Sequence, residues 1–224
     1  MPEPTATSET SASTPTATGR TNDPARTMAN ILAVARDEFA EKGLAGARID
    51  EIAALTQTSK RMIYYYFQSK EGLYLSVLED AYRAMREQEA LLHLDDLPPL
   101  EALRSLVSHT FDRQRLHEDY ARLIMSENIH RGQYLAKSRY IQELNVPAIS
   151  SIRQLYERGV KEGVFRPGLD PVDIHASISA LTFFNVSNQH TFGLIFKIDT
   201  AGDEWVSKRR KSVVDMVERF LLAN

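Results

Sequence analysis

The 224-residue chain has an ordinary globular composition, with 43% hydrophobic and 25% charged residues, enough for one large domain or two small ones. Its formal net charge is −3, so any nucleic-acid site must come from local placement of basic residues. The lack of cysteine excludes disulfides and thiolate metal sites, and no apolar run is long enough to span a bilayer. No apolar segment typical of a secretory signal stands at the start, so we expect a cytoplasmic protein.

Residues 1–25 are dominated by Thr, Ser, Pro and Ala and contain no apolar anchors. Such a segment cannot bury enough surface to offset the entropy lost on ordering, so a disordered tail is predicted. Arg20 and Arg26 are candidates for an additional contact with DNA, although no basic run surrounds them.

The sequence after the tail predicts a series of helices. The first carries an apolar stripe from Ile31 to Phe39 and ends at Gly43, a residue that favours a helix C-cap. Two short helices follow, and Ser59 is placed to cap the second of them. Ser69 is placed to cap a long fourth helix. Helices two to four contain residues 49–53, 59–66 and 69–85.

The second half begins after Pro98-Pro99, which interrupts the helical pattern. Pro147 is expected to begin or kink a helix, and Asp170 followed by Pro171 is typical of a helix start. The predicted helices contain residues 100–111, 123–124, 141–163, 171–191 and 203–222. Nowhere do β-branched residues alternate over the length of a strand, so the predicted fold is all-α.

Two short helices separated by a three-residue break, the second with a polar start, are typical of a helix-turn-helix motif. Between Ile52 and Lys70 the only charged residues are Lys60, Arg61 and Lys70 itself, all basic. Cations at the start of a helix oppose its macrodipole, and a phosphate partner would remove that penalty. The alternative is that Lys60 and Arg61 form an ordinary solvated face.

Residues 31–78, "ILAVARDEFAEKGLAGARIDEIAALTQTSKRMIYYYFQSKEGLYLSVL", resemble the DNA-binding domain of TetR-family transcriptional regulators. The shared features are a first helix ending in Gly, an "IA" helix, a turn, "SK…Y…F" and "SKE.L". The resemblance implies an all-helical homodimer whose N-terminal helices bind double-stranded DNA and whose C-terminal helices sense a ligand and dimerise. It divides the chain into the tail at 1–25, a DNA-binding domain at 26–75 and a ligand-binding and dimerisation domain at 76–224.

The resemblance also implies which residues contact DNA. The start of the recognition helix faces bases, the first two tyrosines of the Tyr triplet lie near phosphates, and Lys70 opens the fourth helix against the backbone. Arg48 stands where the family commonly has a phosphate-binding Thr. The expected set is Arg48, Thr58, Ser59, Lys60, Arg61, Met62, Tyr64, Tyr65 and Lys70. Ile63 and Phe67 are expected in the core, and Tyr66 is expected to pack on neighbouring helices.

The turn departs from the family pattern, because Thr56-Gln57-Thr58 replaces the usual Ala-Gly-Val. A left-handed conformation would cost Gln57 about 1 kcal/mol. Either Gln57 adopts that conformation at this cost, or the turn has another geometry that changes the tilt of the recognition helix.

The second half offers aromatic and polar residues for an effector pocket. "ENIH", Glu127 to His130, is either an exposed helix end or a set of polar ligand contacts, and the aromatic residues are either core or cavity walls. The expected pocket residues are Phe111, Asn128, His130, Tyr134, Tyr156, Phe183, Phe184 and Asn188. Arg153 or His130 would meet a carboxylate; if neither points inward, a neutral ligand is expected. The expected effector is small, mostly apolar and aromatic or heterocyclic.

The sequence as a whole favours a repressor that binds a pseudo-palindromic operator as a homodimer and is released by a small molecule. The dimer is expected to form through apolar faces of the last two predicted helices, which carry Ile174, Ile178, Leu181, Trp205, Val213, Val217 and Phe220. No metal, cofactor or membrane partner is expected, because the six histidines form no ligand pattern. No nucleophile elbow or phosphate-binding loop appears, so no enzyme activity is expected. Two alternatives remain: a helical-bundle enzyme or carrier, and an architectural DNA-binding protein that senses no ligand.

Overall fold

A computed structural model describes residues 23–223 of the chain. Within that range ten α-helices and two short 3₁₀ helices, Leu94–Asp96 and Leu135–Lys137, form the fold, and no strand is present. The all-α prediction is therefore confirmed. Most of the predicted tail, including Arg20, lies outside the described residues. The α-helices are α1 (Pro24–Gly46), α2 (Ile49–Leu55), α3 (Lys60–Phe67), α4 (Lys70–Ala90), α5 (Pro99–Leu116), α6 (Glu118–Ile129), α7 (Arg139–Lys161), α8 (Pro171–Ser187), α9 (Gln189–Phe196) and α10 (Asp203–Leu221).

Helix starts follow the capping residues of the sequence. The Ser59 hydroxyl accepts a hydrogen bond from the Met62 amide at 3.2 Å and so caps α3. The Ser69 hydroxyl accepts from the Gly72 amide at 2.9 Å and caps α4. Each bond satisfies an amide that the helix itself leaves free, which contributes about 1 kcal/mol of helix stability. The positions of the recognition helix and of the long fourth helix are thus set locally.

The helices enclose two hydrophobic cores. The first joins α1–α4 to α6 and α7, and within it the rings of Phe39 and Tyr74 pack edge-to-face, with centroids 5.1 Å apart. The second joins α5, α7, α8 and α10 around residues such as Phe111 and Phe165. Helix α4 passes unbroken through the predicted domain boundary between residues 75 and 76, so one rigid element extends from the first core into the second half.

The ends of several helices differ from the sequence-based expectation. The predicted helix over 171–191 ends at Ser187, and α9 begins as a separate helix at Gln189, because Asn188 leaves the helical conformation at φ −111° and ψ 2°. Pro147 lies inside α7 rather than at its start, since α7 begins at Arg139 under a side-chain cap from Ser138.

The apolar faces expected to form the dimer are largely used within the chain. Of the seven side chains expected at the interface, Ile174, Ile178, Val213 and Val217 are buried in the second core, and Leu181, Trp205 and Phe220 are partly buried. Their burial follows from α8 and α10 packing on α5 instead of standing apart. The exposed apolar residues of this region lie elsewhere, at Val172, Phe184, Leu194, Ile195, Phe196 and Met216.

Candidate DNA interface and effector cavity

The helix-turn-helix turn keeps the left-handed geometry that its sequence makes costly. Gln57 has φ 52°, which for a residue with a Cβ costs about 1 kcal/mol. The turn closes through the Thr58 amide, which donates to the Ala53 carbonyl at 3.0 Å, and through the Thr56 hydroxyl, which donates to the Ile52 carbonyl at 2.7 Å. Of the two alternatives for this turn, the left-handed one is therefore found.

The three tyrosines of α3 divide between core and surface. Ile63 and Phe67 are buried in the first core, and Tyr66 packs against the same core, as expected. Tyr64 and Tyr65 are exposed, Tyr65 by 75% of its surface. Because consecutive helical residues point about 100° apart, burying Ile63 and Phe67 leaves these two rings on the outer side.

The remaining residues expected at DNA are all at least partly exposed and lie at three adjacent places. Arg48 immediately precedes α2, the Thr58–Met62 segment forms the turn and the start of α3, and Lys70 begins α4. The Lys70 ammonium group donates to the carbonyl of Ala45 at 3.3 Å, and the Arg48 amide donates to the Glu38 carboxylate at 3.1 Å. Arg48 and Lys70, which flank the recognition helix in the chain, are thus fixed to α1.

An acidic residue of α2, outside the predicted set, lies beside the start of the recognition helix. Asp50, in the first turn of α2, forms an ion pair with Lys60. Both side chains are more than half exposed, so the pair adds little stability but holds Lys60 in place. The prediction of a basic surface considered only the segment between Ile52 and Lys70. Asp50 lies before that segment and was therefore missed.

A cavity of about 470 Å³ lies between α4, α5, α7 and α8, and Tyr120 of α6 also lines it. Its walls are mainly aliphatic and aromatic, as in most small-molecule sites. The lining apolar residues are Tyr82, Met85, Leu106, Tyr120, Leu135, Ile141, Ala148, Ile149, Ile152 and Ile178. The lining polar residues are Arg86, Glu89, His109, Thr110, Gln114, Gln142, Asn145, His175 and Ser179.

Several polar atoms around this cavity are buried without a hydrogen-bond partner in the described chain. They are Nε and Nη1 of Arg86, Nε2 of His109 and Oε1 of Gln114. Arg86 Nη1 lies 2.6 Å from a carboxylate oxygen of Glu89, but this close ion contact lacks the angles of a hydrogen bond. Buried polar atoms are normally paired, so these atoms point to a missing partner.

Burial controls the charge of the cavity. Desolvation raises the pKa of Glu89, although the nearby Arg86 acts in the opposite direction. Desolvation lowers the pKa of His175, and the charge of Arg86 lowers it further. The pKa of His109 is also lowered, chiefly by burial. At neutral pH both imidazoles are therefore uncharged, and Arg86 is the cation of the cavity.

The pocket residues expected from the sequence do not line this cavity. Phe111 is buried in the second core, and the Tyr156 hydroxyl donates to the Arg166 carbonyl while accepting from the Leu169 amide. Tyr134 instead packs edge-to-face on Tyr74, at 5.3 Å between centroids.

The other expected pocket residues lie on or near the surface. Asn128, His130 and Asn188 are exposed, and the Asn128 amide and His130 ring bond back to carbonyls of their own helix, α6. Phe184 is 43% exposed, and Phe183 is half-buried on the same helix. Asn128 and His130 of the "ENIH" segment thus lie at an exposed helix end, whereas Glu127 is buried. His130 and Tyr134 line a separate, smaller cavity of about 250 Å³, and the other expected pocket residues do not join them there. Arg153, the other expected carboxylate partner, is exposed as well. The criterion set on the sequence would therefore favour a neutral ligand, but that criterion did not include Arg86, the arginine that does line the cavity.

The sequence indicated that the cavity residues face the interior, because they continue the apolar stripes of their helices. On α4 the stripe passes from Leu78 through Tyr82 to Arg86 and Glu89 at steps of four, four and three. On α5 it ends at Gln114, which is 8% exposed. A polar residue at a core position of a helix needs a hydrogen-bond partner. Here these polar residues border a cavity that has room for a molecule to supply it.

Two helices connect the cavity with the DNA-binding helices. Helix α4 begins at the recognition motif and lines the cavity with its second half. Helix α6 presents Tyr120 to the cavity and docks on α1, where Arg122 Nε donates to the Ala40 carbonyl at 2.8 Å. A second contact of α6 with α1 is the ion pair of Arg36 and Asp119, with 2.9 Å between nitrogen and oxygen.

Helix α4 joins the helix-turn-helix motif to a helical bundle that contains a cavity. This architecture defines a class of DNA-binding proteins with a cavity in the helical bundle. Comparison with known families agrees: residues 31–77 match "Bacterial regulatory proteins, tetR family", and residues 99–217 match "Tetracyclin repressor-like, C-terminal domain". The chain belongs to the TetR family of transcriptional regulators.

Individual relatives support the same assignment. The chain is 37% identical over 176 residues to the HTH-type transcriptional repressor NicS of Pseudomonas putida, covering 79% of this chain and 83% of NicS. It is 33% identical over 141 residues to the repressor SCO4008 of Streptomyces coelicolor, covering 62% and 69%. The crystal structure of SCO4942 from Streptomyces coelicolor matches with a TM-score of 0.64 at 30% identity, covering 87% of this chain and 98% of that one. In the described chain, no helix has the length and apolar character needed to cross a membrane.

Proposed function

We propose that this protein is a cytoplasmic repressor that binds a pseudo-palindromic operator as a homodimer and leaves it when a small molecule occupies the cavity. The observation that carries the proposal is the continuity of α4, which starts at the helix-turn-helix motif and ends as a cavity wall. The relatives named as repressors support the direction of regulation.

Operator binding rests on the exposed side of α3 and its neighbours. Lys60 and Arg61 at the start of α3 read base edges in the major groove, together with Thr58, Ser59 and Met62. Tyr64 and Tyr65 approach phosphates, as do Arg48 and Lys70 at the starts of α2 and α4. Operator binding then removes the macrodipole penalty of the cations on α3.

Release of the operator requires the effector to prefer a conformation that cannot bind DNA. A change from 99:1 to 1:99 in the population of the two conformations requires about 10⁴-fold preferential binding. Helices α4 and α6 both touch the cavity and both hold the DNA-binding helices, so a shift of either helix moves the recognition motif.

The dimer forms through α8, α9 and α10. No residue of α9 is buried within the chain, and Leu194, Ile195 and Phe196 expose more than half of their surface. Phe184 of α8 adds to this apolar surface, and its ring packs edge-to-face on Phe192. A contiguous apolar surface of this kind is typical of a protein–protein interface, and a two-fold dimer covers it on both protomers.

The proposal is tested by sequencing the fragments that the protein retains from genomic DNA. An enriched inverted repeat, bound in a gel shift and released by a small molecule from the products of neighbouring genes, is the expected result. Light scattering should give twice the 25.4 kDa chain mass. Retention of no preferred sequence would refute the repressor, and turnover of the small molecule would instead support the enzyme alternative.

A further inference from the structure

The cavity has a polar end whose hydrogen-bonding capacity is not used by the protein. Arg86 of α4 and His109 of α5 bring buried nitrogen atoms without a partner, and Gln114 of α5 brings an oxygen. All three residues line the same cavity. Gln114 is more than nine-tenths buried, so water outside the protein cannot supply its bond.

The nearby Glu89 does not satisfy Arg86. Its carboxylate approaches Nη1 at 2.6 Å, yet Nη1 and Nε of Arg86 both remain without a hydrogen bond. The two residues are three positions apart on α4, so Glu89 reaches the guanidinium from one side only. The rest of the donor group is left for a molecule in the cavity.

The unused atoms are richer in donors than in acceptors. The guanidinium only donates, and neutral His109 donates in the tautomer that carries its proton on Nε2. Gln114 Oε1 is a hydrogen-bond acceptor, so its partner must be an N–H or O–H donor. A carboxylate is the group that best matches several donors around an arginine, because charge-assisted bonds are about twice as strong as neutral ones.

We propose that the effector is a small organic monocarboxylate with a flat apolar or aromatic body, held at its carboxylate by Arg86 and His109. Gln114 accepts a hydrogen bond from a polar N–H or O–H elsewhere on the molecule, and the aliphatic and tyrosine walls hold the apolar body. The class of effector rests on the proposed function, since the cavity is the effector site of that proposal.

Other charge classes fit the cavity less well. A cation would lie near Arg86, and the carboxylate available to it, Glu89, is already in contact with that arginine. A neutral, purely apolar molecule would leave the guanidinium nitrogens buried and unpaired, which costs about 1–3 kcal/mol or more for a charged group.

Isothermal titration with matched probes tests the charge preference. Benzoate, phenylacetate and 2-naphthoate are compared with benzamide, phenylacetamide and 2-naphthamide on the full chain. We expect at least one carboxylate to bind about tenfold or more tightly than its amide. If no carboxylate binds more tightly than its amide, the proposal is overturned.

Variants of α4 locate the preference at Arg86. Arg86→Gln should remove most of the difference between acid and amide, whereas Arg153→Gln, an exposed residue of α7, should keep it. Glu89→Gln removes the competing internal anion and should strengthen carboxylate binding about threefold or more without strengthening amide binding. This second variant keeps the test decisive if Arg86→Gln fails to fold. An unchanged preference in whichever of Arg86→Gln and Glu89→Gln folds contradicts the proposal.

The same samples separate this proposal from the proposed function. A carboxylate that binds through Arg86 but leaves the operator complex intact would support the site and refute the effector role. A neutral molecule that releases the operator equally well from wild type and Arg86→Gln would support the repressor and refute the carboxylate.

Discussion

The phenol of Tyr74 donates a 3.1 Å hydrogen bond to the buried carboxylate of Glu127, joining α4 to α6. The same carboxylate accepts from the amides of Tyr134 and Leu135 at 3.2 and 3.0 Å. Burial raises the pKa of the Tyr74 phenol, so its proton stays in this bond at physiological pH. The two helices that hold the DNA-binding motif are thus tied to each other at one buried carboxylate.

Removing this phenol should destabilise the protein. Tyr74→Phe leaves the Glu127 carboxylate short of one donor while keeping the ring contact with Phe39. We expect a loss of about 1–3 kcal/mol in the free energy of unfolding, measured by urea denaturation. Tyr140→Phe is the matched control, because Tyr140 is 43% exposed. Equal stability of the two variants would show that the bond contributes nothing.

The DNA affinities of two single variants should distinguish a contact with a base from a contact with a phosphate. If Arg61 contacts a guanine, Arg61→Ala should cost about 1–3 kcal/mol and relax specificity at one position. Lys70→Ala should weaken binding to all sequences and reduce the slope of log affinity against log salt by about 1. Both are measured by fluorescence anisotropy with operator and scrambled DNA. Unchanged operator affinity in Lys60→Ala and Arg61→Ala would exclude α3 as the recognition helix.

Asp50 should limit the affinity of the protein for DNA. Its carboxylate pairs with Lys60 and places a negative charge beside the surface that meets phosphates. Asp50→Asn frees Lys60, so we expect a rise of about twofold to tenfold in affinity for operator and non-operator DNA, smaller at high salt. Asp80→Asn, which breaks the ion pair with Arg83 on α4, is the control. A fall in operator affinity would mean that Asp50 orients Lys60 instead of competing for it.

The stability of the protein should fall below neutral pH because His175 is partly buried. The pKa of His175 is depressed in the folded state by burial and by Arg86, so the unfolded state binds a proton more readily. The resulting stability is present above the unfolded pKa of about 6.5 and is lost as the pH falls through the lower folded value. Melting curves between pH 7.5 and 5 should show a smaller loss for His175→Gln than for wild type.

The sequence predicted the local structure of the DNA-binding half because capping, helix period and the family pattern all act over a few residues. Ser59, Ser69, Ile63 and Phe67 have their expected roles for that reason. The residues that line the cavity differ from the expected pocket residues because the position of a cavity depends on how whole helices rotate against each other. Phe111 of α5 packs in the second core, whereas Gln114 of the same helix lines the cavity.

Filling the cavity should abolish induction while preserving repression. Ser179 lies on α8 at the cavity wall, far along the chain from the DNA-binding helices. Ser179→Phe places a ring inside the 470 Å³ space, where it should cost at most about 1–3 kcal/mol of stability and block the effector. We expect operator affinity within about twofold of wild type and at least tenfold more inducer needed for release, measured in a gel shift. Asn128→Ala changes a residue first expected in the pocket but lying at the surface, so it is the control and should induce normally. Normal induction of Ser179→Phe together with loss of induction in Asn128→Ala would move the effector site out of this cavity.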